Sequence, residues 1–369
     1  MVNRIRPRKP QQPPRVSVVV PCYKYGKYLP ECVDGVLGQE GVDVDVTIID
    51  DCSPDDSAAV AYKIADQDPR VRVIVHETNQ GHIATYNEGL SAAEGDYAVL
   101  LSADDLLTTG SLARAANLLA AYPEVGLVYG FSRSFSGTPG VARTNLRSWS
   151  VWSGQEWLEL VCHRASNPIQ TPEVMMRTDT LRDINYYDRR LPHAADFLMW
   201  LRASARGAVG RVNGVDQAFY RVHGENMHQQ LYPGTLRDLS ERHRAFEIMF
   251  EEDGHLVTNA PELRIAAKRA VAREALYEAC QAYLVGRPLD ELAENAQTLR
   301  DLAAFAEEIY PDSKSSRLRQ TFETNAARAA DGKGPIVPPA LRSIRDRAVR
   351  NVRWRRWRRS GVDGAVGAL

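Results

Sequence analysis

Two pairs of adjacent aspartates interrupt apolar runs: Asp50-Asp51 in "TIIDDCSPDDS" and Asp104-Asp105 in "LLSADDLL". An unpaired carboxylate is expensive to strip of water, so an apolar run that leads into two of them ends at a surface turn or meets a cation. Two hard oxygen donors of this kind suit a magnesium or manganese ion bridging two phosphates. The other reading of Asp104 and Asp105 is a cap for the helix that follows near 110, for which Thr108 and Thr109 are nearer candidates. Asp50 and Asp51 offer different chemistry, because a carboxylate there could accept the imide N–H of a uracil or thymine ring. Just beyond them, Ser53, Pro54 and Asp56 resemble an N-cap with proline at the first helical position. Asp55 and Asp56 then stabilise the positive end of that helix. Tyr23, in "PCYKYGKY", could stack on a nucleobase or pack its own loop.

Each of these clusters follows a short β-branched run. Residues 16–20, 44–50, 71–76, 96–102 and 125–130 read as buried strands, and helical stretches fall at roughly 28–39, 55–67, 82–93 and 110–121. The alternation predicts an α/β fold with a largely parallel sheet covered by helices on both faces. Ligands bind such sheets beyond the carboxyl ends of the strands, where Tyr23, Asp51 and Asp104 fall. Past 132 the pattern becomes irregular and aromatic (Phe135, Trp149, Trp152, Trp157), and a further helix is expected from Ala194 to Gly207.

The stretch from "VSVVVPCYKYGKYLPECVDGVLGQ" through "VDVTIIDDCSPDDS" to "NQGHIATYNEGLSAAEGDYAVLLSADD" resembles the nucleotide-binding half of an inverting family 2 glycosyltransferase of the GT-A fold. The resemblance continues in "HAADFLMWLRASARG" and "YRVHGENM". It implies a nucleotide-binding set of Pro21, Tyr23, Asp51, Ser102 and Ala103, with Tyr23 stacked on the pyrimidine and Asp51 on its N3–H. It also implies Asp104 as metal ligand, His223 near the metal and diphosphate, and Asp196 as catalytic base. By position alone, Asp196 also reads as a first-turn helix acid and His223 as a histidine satisfied by backbone. Three positions depart from the family pattern: Ser102 replaces the first acid of the DXD motif, Ala195 precedes Asp196 where Glu is usual, and Tyr86 stands where many relatives carry Arg. His193 could supply the missing acceptor contact; His82 and His163 have no evident partner.

The implied function is transfer of a sugar from a UDP or dTDP donor to a glycan, lipid-linked or small-molecule hydroxyl, with Mg²⁺ or Mn²⁺ as cofactor. A non-catalytic nucleotide-sugar binder is the alternative. A dehydrogenase would need GxGxxG after the first strand, where this chain has "CYKYGK".

Composition bounds the rest. With 44% hydrophobic and 25% charged residues the chain is an ordinary globule, and no stretch approaches the roughly 20 apolar residues that span a bilayer. The five cysteines lack CxxC spacing, which argues for a reducing, cytoplasmic setting and against a zinc site. The expected organisation is a disordered basic, proline-rich tail (1–14), a GT-A domain (15–232), a helical appendage (233–330), and a linker with a basic tail (331–369). Residues 341–360 hold nine Arg and one Asp within a chain of net charge −1. An acidic body with an Arg- and Trp-rich end suits a peripheral contact with the anionic inner face of a plasma membrane; no nucleic-acid reader motif is present.

Overall fold

A computed structural model describes residues 3–5, 12–224, 226, 234–284, 289–334, 336 and 352. Two compact units divide the described chain. The first holds residues 3–5, 12–158, 167–224 and 226; the second holds 159–166 and the helical residues from 234 onward. Residues 159–166, from within the expected 15–232 domain, thus belong to the helical unit. The second unit carries helices Thr235–Glu252, Ala260–Leu284, Leu289–Glu294, Ala296–Ile309 and Arg317–Ala330. No helix among the described residues is long and apolar enough to cross a membrane. The Arg- and Trp-rich segment 341–360 lies outside the described residues, except Val352.

The first unit begins with β1 (Asn3–Ile5), β2 (Arg15–Cys22), α1 (Leu29–Leu37), β3 (Asp43–Asp50), α2 (Ser57–Ala65) and β4 (Val71–Val75). It continues with α3 (His82–Ser91), β5 (Tyr97–Leu100), β6 (Leu106–Leu107), α4 (Ser111–Ala121), β7 (Val125–Tyr129), β8 (Ser132–Phe135) and β9 (Ser148–Trp152). After α5 (Gly154–Arg164) come β10 (Met175–Arg177), α6 (Thr178–Asp183), α7 (Ala195–Arg206), β11 (Ala208–Asn213) and β12 (Ala218–Arg221). The main sheet has nine strands in the order β1-β9-β11-β7-β10-β5-β2-β3-β4. Strands β2, β3, β4 and β5 pair in parallel, as the alternation of strand and helix requires. Their side chains are apolar on both faces: Val16, Val18, Val19, Val20, Ile48 and Ile49 have no exposed surface.

Four features depart from the expectation. Asn3–Ile5, within the segment read as a disordered tail, pairs antiparallel with β9. The three-residue β10 inserts antiparallel between β5 and β7, which an alternating strand-helix pattern does not foretell. Strands β6, β12 and β8 form a small second sheet. Helix α2 starts at Ser57 with Asp56 at its N-cap, so Ser53 is not the cap; Asp55 instead accepts from the backbone N–H and hydroxyl of Ser57.

Helix α3 lies so close to the sheet that a Cβ on Gly89 would stand 2.3 Å from Val19 Cγ1 and 2.8 Å from Ile49 Cδ1. Alanine gains about 1 kcal/mol of helix propensity over glycine, but overpacking against two fully buried branched side chains costs about 1–3 kcal/mol. The clash should win. Gly89→Ala is expected to lower the urea midpoint of unfolding, and an unchanged or raised midpoint would contradict this packing.

Candidate active site at the carboxyl ends of the parallel strands

Backbone hydrogen bonds stitch the ends of β2, β3 and β5 together beyond their regular pairing. Leu101 N donates to Val19 O, Ala103 N to Pro21 O and Asp51 N to Cys22 O. Pro21 and Ala103 are therefore buried pieces of a floor, and Asp51 and Asp104 rise at its edge. Lys24 N donates to Ser53 Oγ and Gly26 N to Ser57 Oγ, which ties the Tyr23 loop to the start of α2. Lys24 and Cys52 adopt left-handed φ of 62° and 58°, turning the chain sharply at both strand ends. Tyr23 is 41% exposed, with the ammonium of Lys24, from its own loop, 5.0 Å from its ring centre.

Asp104 and Asp105 are 5% and 2% exposed. Neither caps the next helix: β6 intervenes, and α4 starts after Gly110 without a side-chain cap, from Thr108 and Thr109 included. Their charges are met from β12. Arg221 N donates to Asp105 Oδ1, and its guanidinium donates to the Asp104 carbonyl and to Glu31. Arg221 also lies 4.7 Å from the Tyr28 ring centre and 4.5 Å from that of Phe135. His223 Nε2 is 2.9 Å from Asp104 Oδ2, and the imidazole stacks on Tyr28 with Tyr25 at its edge. His223 thus meets a carboxylate, not only backbone. Burial raises the Asp104 carboxyl above the usual range, offset in part by the His223 hydrogen bond. Burial and the Asp104 charge push Asp105 well above it.

Asp51 is 4% exposed and its carboxylate is closely engaged. Oδ1 accepts from Gln80 N and lies 2.7 Å from His76 Nδ1; Oδ2 accepts from Gly81 N. His76 Nε2 is 2.8 Å from Glu88 Oε2. This buried histidine was missed by the sequence reading, although it ends a strand as Tyr23, Asp51 and Asp104 nearly do. Asp50 turns inward, with Oδ2 accepting from Ser53 N.

Asp196 opens α7. Its Oδ1 accepts from Phe197 N, as a first-turn acid should, and its Oδ2 accepts from Asn167 Nδ2. Its charge joins burial in raising the Tyr187 phenol. Tyr187 packs edge-on against Tyr86, and Tyr86 against His82. His82 Nε2 is 2.8 Å from Pro192 O. Since His82 follows Gly81, contacts run from the start of α7 to the backbone that holds Asp51. Tyr86, the residue in the place of the usual Arg, is one link. A cavity of about 450 Å³ opens along α3, lined by Gln80, Asn87, Glu88, Asn185, Tyr186 and Asp188 among others, and by none of Tyr23, Asp104, Asp196 or His223.

The strand order, the acids at the strand ends and the helical extension define a GT-A fold. Residues 17–185 match the family model "Glycosyl transferase family 2", and the chain carries a family 2 glycosyltransferase domain there. The glycosyltransferase GlyG of Streptococcus pneumoniae is 39% identical over 92 residues, which are 25% of this chain and 31% of that protein. This alignment therefore spans about a third of GlyG. Among solved structures, residues 1–349 of Staphylococcus aureus TarS with UDP-GlcNAc superpose with a TM-score of 0.59 at 17% identity, covering 86% of this chain and 87% of that fragment. The mannosyltransferase PcManGT of Pyrobaculum calidifontis, with GDP-Man and Mn²⁺, gives 0.50 at 18% identity, covering 85% and 90%.

A buried carboxyl whose pKa is raised in the folded state favours folding below its unfolded pKa, and loses that contribution as pH rises through the folded value. Ionisation of Asp105 therefore opposes folding. Asp105→Asn keeps an acceptor for Arg221 N without the charge. It is expected to raise or preserve the thermal midpoint at pH 7 and to flatten its decline on the alkaline side. A large fall in the midpoint would show that the charge itself is needed.

Proposed function

We propose that this chain is an inverting glycosyltransferase that moves a sugar from a pyrimidine nucleoside diphosphate, UDP or dTDP, to an acceptor hydroxyl. The observation that carries this is the pairing of Asp104 Oδ2 with His223 Nε2 at 2.9 Å, on a strand-end floor shared with Asp51 and the exposed ring of Tyr23. An oxygen and a nitrogen donor at that separation can close on one ion. Among the described residues no group of three His, Cys, Asp or Glu converges to cage a metal. Two protein ligands with the rest from diphosphate and water is how Mg²⁺ is commonly held, so Asp104 and His223 fit Mg²⁺ or Mn²⁺. An ion bound there supplies charge neutralisation for a departing diphosphate.

The chain's own residues perform the remaining work. Tyr23 offers a flat face to the base and Asp51 an acceptor to its N3–H. Ser102, in the place of the first acid of the motif, brings a hydroxyl for the ribose. Asp196 takes the proton of the acceptor hydroxyl. The oxygen forms its bond to the anomeric carbon as the carbon–phosphate-oxygen bond breaks on the opposite side, and the configuration inverts. Asn167 and the backbone N–H of Phe197 fix the direction of the Asp196 carboxylate. Glycan, lipid-linked and small-molecule hydroxyls all suit this step. The Arg- and Trp-rich end, set against a body of opposite charge, suits the anionic inner leaflet of a plasma membrane.

Asp196→Asn should lower turnover about 100-fold or more while leaving UDP affinity near wild type in calorimetry; near-normal turnover rules out the base. Wild-type protein that binds UDP-sugars yet transfers to no acceptor would identify a non-catalytic binder. Asp104→Ala is expected to abolish the Mn²⁺-dependent part of UDP binding, and full wild-type activity in excess chelator would refute the metal. The full chain should co-sediment with anionic vesicles, not with neutral ones, and about 0.5 M salt should release it. Equal binding to neutral vesicles would remove the electrostatic reading.

A further inference from the structure

The ring of His76 lies buried between two carboxylates, 2.7 Å from Asp51 and 2.8 Å from Glu88. A neutral imidazole has one N–H, and its other nitrogen presents a lone pair. That lone pair cannot face a carboxylate oxygen at hydrogen-bond distance without repulsion, so both contacts hold together only when the ring is an imidazolium. Moving the proton to a carboxylate is the poorer solution. Asp51 already accepts two backbone N–H groups, and the Glu88 side chain is 41% exposed to water. Among the described residues, the charged groups set against the ring are Asp51 and Glu88; Asp50 meets it through the backbone, accepting from His76 N. Burial alone would lower the His76 pKa, but the two carboxylates outweigh it and the net direction is upward.

The acceptor count on Asp51 follows. Oδ1 takes His76 and Gln80, which fills its two lone-pair sites; Oδ2 takes Gly81, which leaves one. We infer that His76 is a positioning residue for the donor base: as a cation clamped to Glu88, it fixes Asp51 with a single free acceptor for the single imide N–H of a pyrimidine. The inference rests on the donor reading above and extends it to a residue outside the donor contacts. It also has a sign. A raised histidine pKa means that the clamp is present below the ordinary histidine pKa and is lost as pH rises through the folded value. When the ring loses one proton, one carboxylate must turn away, and either rearrangement disturbs Asp51 or its anchor.

The test is calorimetry with Mn²⁺ of two probes, UDP and inorganic pyrophosphate, from neutral to alkaline pH. Wild type should bind UDP progressively more weakly as pH rises, beyond any loss seen with pyrophosphate. His76→Gln keeps one N–H donor and cannot carry charge. It should weaken UDP about tenfold, of the order of one hydrogen bond to a charged group, leave pyrophosphate unchanged, and remove the excess pH dependence. Glu88→Gln should move the pH midpoint of UDP binding downward, which a merely structural role would not do. Unchanged UDP affinity and pH profile in His76→Gln, with wild type binding UDP, overturns the inference and leaves the donor reading intact. Loss of pyrophosphate binding as well makes His76 structural and also overturns it. If wild type binds pyrophosphate but neither UDP nor dTDP, the pyrimidine reading fails and the inference falls with it.

Discussion

Asp104 and Asp105 are neighbours in the chain, both almost wholly withdrawn from water, at the end of a hydrophobic strand. Two like charges so placed cannot both be tolerated without positive partners. The partners come from more than a hundred residues downstream, Arg221 and His223 on and just after β12. Much of the first unit's second half serves that delivery. The small sheet of β6, β12 and β8 carries Arg221 to the acids, and Tyr28 and Phe135 flank its guanidinium. Satisfying buried charge and gathering Asp104 beside His223 are here the same structural act.

The acids at the floor's edge are set to different tasks by what surrounds them. Asp51 accepts three hydrogen bonds, two from backbone N–H groups, and keeps little freedom of direction. Asp104 is buried to a similar degree, and there burial outweighs His223 and raises its carboxyl. Asp51, by contrast, is met by two backbone N–H groups that Asp104 lacks. Directional acceptance suits a base edge, and under-compensated charge suits an ion.

The parallel half was legible because β2, β3 and β5 are buried on both faces, which forces runs such as "VSVVV" and "VDVTIID". The polar residues that punctuate those runs marked the candidate site for the same reason. Ser53 misled because Pro54 resembles a first helical residue, whereas the Asp50 and Lys24 contacts hold Ser53 in the loop and α2 starts later. Strand β10 left little mark, since "MMR" has neither the length nor the period of a strand and forms only because two edges wait for it. His76 was passed over as the last residue of a strand. Its significance depends on Glu88, twelve positions away on a helix, and no local pattern brings the two together.

That inserted strand has a consequence for the birth of the molecule. Residues 15–129 do not make a continuous sheet, because Met175–Arg177 separates β5 from β7. On a ribosome adding about 5–20 residues per second, the roughly 48 residues between the end of β7 and the end of β10 take roughly 2–10 s to appear. Throughout that interval the facing edges of β5 and β7 carry unpaired N–H and C=O groups, a template for pairing with any other nascent chain. Three residues of modest appearance therefore decide when these two facing edges cease to be adhesive.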